Sequence, residues 1–255
     1  MQNVQLLIHG QSVDASNQAT FERISPIDGT VATKAAAATL EDVDRAIDSA
    51  QQAFKVWSKL SPTERRLRLL KAADLMDQKT EQFIETGMQE TGSTATWYGF
   101  NVHLAANMLR EAAAMTTQID GSLIPSDVPG NLAMGVRVPC GVIVGIAPWN
   151  APVILTTRAL AMPLACGNTV VLKASEACPA THRLIGEVLH EAGLGEGVVN
   201  VITHAAEDAP QIVERLVSHP AVKRINFTGS THVGRIIAET AAKYLKPVLL
   251  ELGGK

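Results

Sequence analysis

The chain of 255 residues is 46% hydrophobic and 18% charged, so it can bury the core of one large or two ordinary domains. A net charge of -3, with Lys and Arg interspersed among Asp and Glu, excludes the basic footprint of a nucleic-acid-binding protein. No apolar run reaches the roughly 18 residues of a membrane span and no basic leader is present, so we expect a cytoplasmic protein without membrane contact. The seven histidines and three cysteines lack metal-ligand or disulfide-framework spacing, and no metal site is predicted.

Two capping signals predict helices in the first part of the chain, after an extended start. Thr39 is followed three residues later by Asp42, and Ser61 by Glu64 with a proline between them. Both patterns are typical of the first turn of an amphipathic helix. A further helix is expected over residues 97–115 from its apolar periodicity. We interpret these helices as scaffold.

After these helices the sequence predicts an extended arm and then a region of alternating strands and helices. Residues 121–140 contain short extended pieces broken by prolines, which predicts a hairpin-like arm outside the main body. Five later apolar runs alternate with segments of helical periodicity, at residues 142–146, 169–172, 198–202, 224–227 and 248–250. Because parallel strands need crossover connections, this alternation predicts an α/β fold with a doubly wound, mostly parallel, Rossmann-like sheet.

Polar residues and glycines come after the ends of these five runs. In chain order they are Trp149 and Asn150, Lys173 and Glu176, His204, Gly229 and Ser230, and Glu251. Ligands of open parallel sheets bind outside the carboxyl ends of the strands. We therefore predict one site along this edge, with the first and the last of these residues facing the same crevice.

The segment that contains Gly229 and Ser230 has the pattern of a strand, a glycine turn and a helix start. Such a turn allows a diphosphate to approach the free N–H groups of the helix. An ordinary helix cap is an equally good interpretation. The glycine spacing up to Gly234 matches a P-loop, but Arg235 and Ile236 stand where that motif requires Lys and Ser or Thr, which disfavours a magnesium-nucleotide site.

Three polar side chains are candidates for chemistry. Lys173 and Glu176 could grip a ribose diol, and the carboxylate would repel a 2′-phosphate, which favours NAD; a solvated ion pair is the alternative. Asn150 could donate a hydrogen bond to an oxyanion, although a proline-bracketed turn would also explain it. Glu251 comes after an apolar strand, so we expect burial to raise its pKa toward the range of a general base, with a turn-capping glutamate as the alternative.

Four elements occur in a fixed order: Pro148-Trp149-Asn150, Lys173-Ala174-Ser175-Glu176, Phe227-Thr228-Gly229-Ser230 and Glu251-Leu252-Gly253-Gly254-Lys255. In these elements the chain resembles the aldehyde dehydrogenase superfamily, over essentially its whole length. The resemblance implies an NAD-binding domain built from residues 1–120 and 141–255, an oligomerisation arm at 121–140, and a homodimer or homotetramer.

The resemblance also implies roles for single residues. Asn150 would stabilise the oxyanion and Glu251 would activate the water that hydrolyses a thioester, with NAD or NADP as hydride acceptor. Hydrolysis is expected over transfer to coenzyme A, because only hydrolysis needs a positioned base. The implied dinucleotide contacts are Ile146, Pro148, Trp149, Lys173, Glu176, Gly229, Ser230, Val233 and Leu252.

Two features depart from the family pattern. Family members carry the nucleophilic cysteine a few dozen residues beyond the Glu-Leu-Gly-Gly element, so we expect the catalytic domain to be absent from this chain and the fragment to be inactive. Cys140, Cys166 and Cys178 are interpreted as small packing residues. The second departure is the segment around His204, where many relatives have a glycine-containing loop near the adenine.

Residues 200–205 and 247–251 resemble the branch that oxidises vanillin, benzaldehyde and salicylaldehyde. Leu155 and Arg158 are three residues apart and can share a helix face, where Arg158 could orient a ring hydroxyl against an aromatic wall formed by Trp97. A surface arginine in a salt bridge is the alternative. A non-catalytic dinucleotide-binding short form and an aliphatic semialdehyde dehydrogenase remain open as other functions.

Overall fold

The computed structural model describes residues 1–253. Four helices form the first part of the chain: α1 (Leu40–Trp57), α2 (Pro62–Gln78), α3 (Thr80–Thr91) and α4 (Ala95–Met115). The two predicted capping boxes are confirmed, with Thr39 closing the start of α1 and Ser61 that of α2. The helix predicted at residues 97–115 is α4, whereas α3 was not predicted and ends at Gly92 with a φ of 72°.

The extended start forms five short strands, β1 (Gln2–Val4), β2 (Leu6–Ile8), β3 (Gln11–Val13), β4 (Thr20–Ile24) and β5 (Val31–Ala36). Strands β1, β5 and β4 make a small sheet of their own. The β2–β3 hairpin instead pairs antiparallel with a later strand, so the first residues of the chain enlarge the main sheet. The predicted arm is a hairpin of β6 (Ser122–Ile124) and β7 (Ala133–Gly135), most of it exposed.

All five predicted strands of the main sheet are present, and they are parallel. They are β8 (Val142–Ile146), β9 (Thr169–Lys173), β10 (Val199–Ile202), β11 (Val222–Gly229) and β12 (Val248–Leu252), and the crossovers are α5 (Pro152–Ala165), α6 (Pro179–Glu191), α7 (Ala209–Ser218) and α8 (Thr231–Lys243). The strand order is β12-β11-β8-β9-β10-β2-β3. The chain therefore runs outward from β8 in both directions, which is the doubly wound arrangement.

Helices cover both faces of this sheet. Apolar side chains of α2, α4, α5 and α6 pack on one face and those of α1, α7 and α8 on the other, which explains why the strands of the sheet centre are apolar along their whole length. Glu90, at the end of α3, is completely buried and accepts hydrogen bonds from the backbone N–H groups of Ala180 and Thr181 in the first turn of α6. Burial raises the pKa of Glu90, and these hydrogen bonds oppose that effect.

Candidate functional site

The register of the parallel strands brings their carboxyl ends level. Ile146 of β8 lies opposite Lys173 of β9 on one side and opposite Phe227 of β11 on the other. Lys173 lies opposite Ile202 of β10, and Phe227 opposite Leu250 of β12. Successive strands are added on one side of β8 up to β10 and on its other side from β11 onward. Doubly wound sheets bind their ligands at this switch point between β8 and β11. All five strand ends with predicted site residues thus lie along one edge.

Asn150 lies in the turn between β8 and α5. The residue is exposed, and its backbone carbonyl oxygen accepts a hydrogen bond of 3.0 Å from Nε1 of Trp97 on α4. The Trp97 ring stacks on Phe100 with 5.6 Å between the ring centroids. Trp97, which was predicted to form an aromatic wall for the substrate, therefore also connects the turn that carries Asn150 to helix α4. Phe100 joins this wall, although no sequence motif singled it out.

Arg158 of α5 reaches the ends of β11 and β12. Its Nη2 donates a hydrogen bond of 2.9 Å to Oγ1 of Thr228, and its Nη1 lies 3.9 Å from Oε2 of Glu251. Leu155, one turn earlier on the helix, is partly buried. The carboxylate of Glu251 is thus on the α5 face of the sheet, the helix that begins just after Asn150. Sequence reasoning missed the contact between Arg158 and Thr228 because the two residues are far apart in the chain and meet only where α5 packs on β11.

The expected burial of Glu251 is wrong for the described part of the chain. Half of its side-chain surface, 50%, is exposed. The physical reason is its position: among residues 1–253, β12 is the edge strand of the seven-stranded sheet and pairs only with β11. An apolar strand before a carboxylate does not by itself remove that carboxylate from water. The last residues of this element, Gly254 and Lys255, lie outside the described residues.

An open cavity of about 880 Å³ lies between α5 and the strands β11 and β12. Its walls include Arg158 and Glu251 at one end and Cys166 and Arg224 toward the amino ends of the strands. Asn150 is not among its lining residues, and neither are Trp97 and Leu155. The cavity therefore contains the candidate base but not the candidate oxyanion donor. Both residues follow strand ends on the same edge of the sheet, and the expectation that they face one crevice stays a prediction.

Lys173 is buried, with 6% of its surface exposed. Its Nζ donates hydrogen bonds to the carbonyl oxygen of Ala174, at 3.1 Å, and to Nε2 of His204, at 2.7 Å. Desolvation lowers the pKa of Lys173 to about 8, a shift that the negative charge of Glu176 partly opposes. The alternative of a solvated ion pair with Glu176 is wrong, because the carboxylate lies beyond the 4 Å limit of such a pair while the ammonium is held by His204.

Ser230 is the N-cap of α8, and its Oγ accepts a hydrogen bond of 3.3 Å from the backbone N–H of Val233. The helix-cap interpretation is therefore correct, and it leaves the N-terminus of α8 at the sheet edge where a diphosphate was predicted. A Cβ atom at Gly229 would collide with the ring of Phe227. The glycine is required by packing on its own strand, whatever else approaches it. Val233 and Leu252 are both partly exposed beside this turn.

A family model described as the aldehyde dehydrogenase family matches residues 13–255. This chain belongs to the aldehyde dehydrogenase family. A vanillin dehydrogenase of Pseudomonas fluorescens is 66% identical over 255 residues, which are 100% of this chain and 53% of that relative. The chain therefore spans about half the length of this relative.

Solved structures of other proteins have the same fold. The crystal structure of a salicylaldehyde dehydrogenase from Pseudomonas putida G7 complexed with salicylaldehyde has a TM-score of 0.98 and 49% identity, and the match covers 100% of this chain and 53% of that one. An NADP-dependent enzyme of E. coli has a TM-score of 0.95 and 31% identity, with 99% and 52% of the two chains covered. The predicted α/β architecture is confirmed by these matches.

The three cysteines of the chain differ in exposure. Cys178 is buried, Cys166 is partly buried, and burial raises the thiol pKa of both. A raised pKa disfavours the thiolate that nucleophilic attack needs. The interpretation of Cys140 as a packing residue is wrong, because this residue is exposed where the arm returns to the main sheet. None of the three comes directly after the carboxyl end of a parallel strand.

Residues 1–253 offer neither a metal centre nor a membrane helix. Three or more His, Cys, Asp or Glu side chains grouped closely enough to hold a metal ion do not occur among them. Within the same residues, none of the helices combines the length and the apolar character that a membrane crossing needs.

Proposed function

We propose that the complete protein containing this chain oxidises an aromatic aldehyde to the carboxylic acid with NAD as the hydride acceptor. The observation that carries the proposal is the level register of the five parallel strands. This register puts Asn150, Lys173, Gly229 and Glu251 along one edge of the sheet on both sides of the switch point. Family membership and the similarity to a vanillin dehydrogenase support the same reaction.

The proposed reaction uses a cysteine nucleophile from outside the 255 residues. Its thiolate forms a bond to the aldehyde carbon and the carbonyl oxygen becomes an oxyanion, which the side-chain amide of Asn150 stabilises by donating a hydrogen bond. Loss of a hydride from that carbon restores the carbonyl as a thioester. Glu251 then takes a proton from water, the water oxygen bonds to the carbon, and the thiolate leaves as the acid is released.

The residues at the sheet edge fit a dinucleotide. In this proposal Lys173 and Glu176 hold a ribose, and the N-terminus of α8 with Gly229 and Ser230 holds the diphosphate. Ile146, Pro148, Trp149, Val233 and Leu252 would line the path toward the nicotinamide. When bound, NAD supplies the hydride acceptor, and the chain's own contribution is to bind it and orient it.

We favour NAD over NADP because Glu176 comes just after the strand that carries Lys173. A carboxylate beside the ribose would repel a 2′-phosphate. The NADP-dependent enzyme of E. coli shows that a relative with this fold can use the phosphorylated cofactor. Dissociation constants for both cofactors, measured on the wild type and on Glu176→Gln, test the assignment; equal affinity for the two cofactors in the wild type contradicts it.

For the substrate, we propose that Arg158 orients a ring hydroxyl, with Leu155 and Trp97 as apolar walls. Arg158 already makes a polar contact with Glu251, so this arginine links the candidate substrate pocket to the candidate base. In Arg158→Ala we expect the preference for hydroxylated over plain benzaldehyde to fall roughly tenfold, the worth of one hydrogen bond to a charged group. The ratio of kcat/KM values cancels any shared effect on Glu251. An unchanged ratio contradicts this role.

The exposed β6–β7 hairpin is proposed as an oligomerisation arm of a homodimer or homotetramer. Leu123, Leu132 and Met134 are large apolar residues that are mostly exposed on it. Apolar residues grouped on one protruding element are typical of a surface that another subunit covers. Replacing Leu132 and Met134 by Lys should lower the molecular mass measured by light scattering, and an unchanged mass contradicts the assignment.

The reaction itself is tested on the complete protein with vanillin, salicylaldehyde, benzaldehyde and an aliphatic semialdehyde. The assay measures reduced nicotinamide by absorbance and the acid product by chromatography. Acid formation with an aromatic preference is the expected result. Cofactor binding without turnover would instead support a non-catalytic dinucleotide-binding form, and a preference for the aliphatic substrate would support a semialdehyde dehydrogenase.

A further inference from the structure

The ammonium of Lys173 is buried without a neutralising carboxylate. Only 6% of the surface of Lys173 is exposed. Among residues 1–253, no Asp or Glu oxygen lies within 4 Å of its Nζ. An unpaired buried charge is unfavourable by several kcal/mol unless hydrogen bonds compensate for it. An ammonium has three protons, and Ala174 and His204 accept two of them. One donor remains for a ligand.

The tautomer of His204 follows from its two contacts. Nδ1 lies 2.7 Å from the carbonyl oxygen of Ala205, which can only accept, so Nδ1 carries the proton. Nε2 is therefore free to accept from Lys173. Burial and the nearby ammonium lower the pKa of His204 to about 4, so the imidazole remains neutral at neutral pH and does not repel the lysine.

The backbone beside His204 is fixed to another part of the fold. Oγ1 of Thr203 donates a hydrogen bond of 2.6 Å to the carbonyl oxygen of Ala36, and the N–H of Ala38 donates one of 2.9 Å to the carbonyl oxygen of Thr203. The segment before α1 thus holds the β10 loop in place. The imidazole is a rigid acceptor at the sheet edge, because both its backbone and its ring are bonded.

We propose that His204 is a positioning residue of the dinucleotide site, which holds the Lys173 ammonium so that its remaining N–H is directed at a ribose hydroxyl. The proposal rests on the proposed cofactor site and adds to it a residue from a different strand. The lysine stem is flexible, and without an acceptor its ammonium has several accessible positions. With the imidazole in place, the entropy of ordering that side chain is lost on folding rather than on cofactor binding.

The test is a double-mutant cycle of NAD affinity in the complete protein, measured by isothermal titration calorimetry. The single variants are His204→Ala and Lys173→Met, and the third variant combines them. We expect His204→Ala to raise the Kd for NAD about tenfold in the wild-type background and less than about twofold in the Lys173→Met background, because the imidazole acts through the lysine. His204→Gln, whose carbonyl oxygen can replace Nε2 as the acceptor, should restore most of the affinity.

A control variant separates positioning from general damage. His103→Ala changes an exposed histidine on α4 and should leave the Kd unchanged. If His204→Ala weakens binding equally in both backgrounds, or if the glutamine variant does not recover, the histidine does not act through Lys173 and the inference is overturned. If the wild type binds neither NAD nor NADP, the proposed function fails instead. Wild-type binding that is unaffected by His204→Ala overturns the inference alone.

Discussion

The two ends of the candidate site differ in how firmly this chain holds them. At β9 and β10 the polar pair, Lys173 and His204, is buried, and each side chain has defined hydrogen bonds. At β12 the polar pair, Arg158 and Glu251, is substantially exposed and its members are 3.9 Å apart. Both ends lie on the same edge of one sheet, so the difference comes from what covers each strand end.

The difference is explained by position in the sheet. Strands β9 and β10 lie between other strands, with α1 and α5 against β9 and α1 and α6 against β10, whereas within residues 1–253 β12 pairs on one side only. The residues at the end of a central strand are covered by its neighbours, and those at the end of an edge strand stay in water. The comparison indicates that the described residues fix the side chains at the end proposed to bind the ribose, while the proposed base remains an exposed carboxylate in residues 1–253.

The largest effect is expected at the exposed end. Glu251→Gln in the complete protein removes the proposed proton acceptor for water attack and should lower turnover by roughly a factor of 10² to 10⁴. Acyl transfer to the cysteine should survive, so a burst of reduced nicotinamide in stopped-flow absorbance should precede the slow phase. Glu239→Gln, an exposed residue of α8, is the matched control. Turnover close to that of the wild type would remove Glu251 from the mechanism.

A somewhat smaller effect is expected at the turn between β8 and α5. Asn150→Ala removes the proposed oxyanion donor and should lower kcat by roughly 10² to 10³. Because the step before hydride loss is affected, the burst itself should slow, unlike in the Glu251 variant. The Kd for NAD should remain that of the wild type. A normal burst rate would show that Asn150 is a turn residue only.

At the buried end the change should appear in binding instead of turnover. Lys173→Met should raise the Kd for NAD on the order of thirtyfold, the worth of a charged hydrogen bond. Since the lysine pKa is about 8, wild-type affinity should be highest below that pH and fall above it as the ammonium deprotonates, whereas the variant should show no such fall. The other ionisable side chains around it are His182, His204, Cys178 and Glu176. A wild-type affinity that is flat through pH 8 contradicts this assignment.

The smallest effect is expected for Glu90, which accepts hydrogen bonds from the first turn of α6. Glu90→Gln replaces a carboxylate oxygen by an NH₂ group that faces the N–H donors of Ala180 and Thr181, so α6 loses part of its N-terminal cap. We expect a loss of about 1 to 3 kcal/mol in the free energy of unfolding, measured by urea denaturation. Glu187→Gln, whose carboxylate is 47% exposed on the same helix, should change it by less than about 1 kcal/mol. Equal effects of the two substitutions would show that the buried contact is not special.

Local signals were sufficient for much of the fold. The caps at Thr39 and Ser61 and the five apolar runs of the main sheet depend on neighbours within a few residues, and the structure agrees with all of them. The β2–β3 hairpin could not be predicted in the same way. Its place depends on pairing with β10, almost two hundred residues later, and short strands carry little information about distant partners.

For the candidate site, too, some features could be predicted from the sequence and others could not. Sequence by itself determined which polar residues come after the strand ends, and parallel pairing then requires those ends to share an edge. Tertiary structure alone decided that His204 accepts from Lys173, 31 residues away, and that Arg158 reaches Thr228, 70 residues away. It also decided that Glu251 is exposed. Side-chain partners and burial depend on which strands become neighbours and which strand lies at the edge, and no local pattern encodes either.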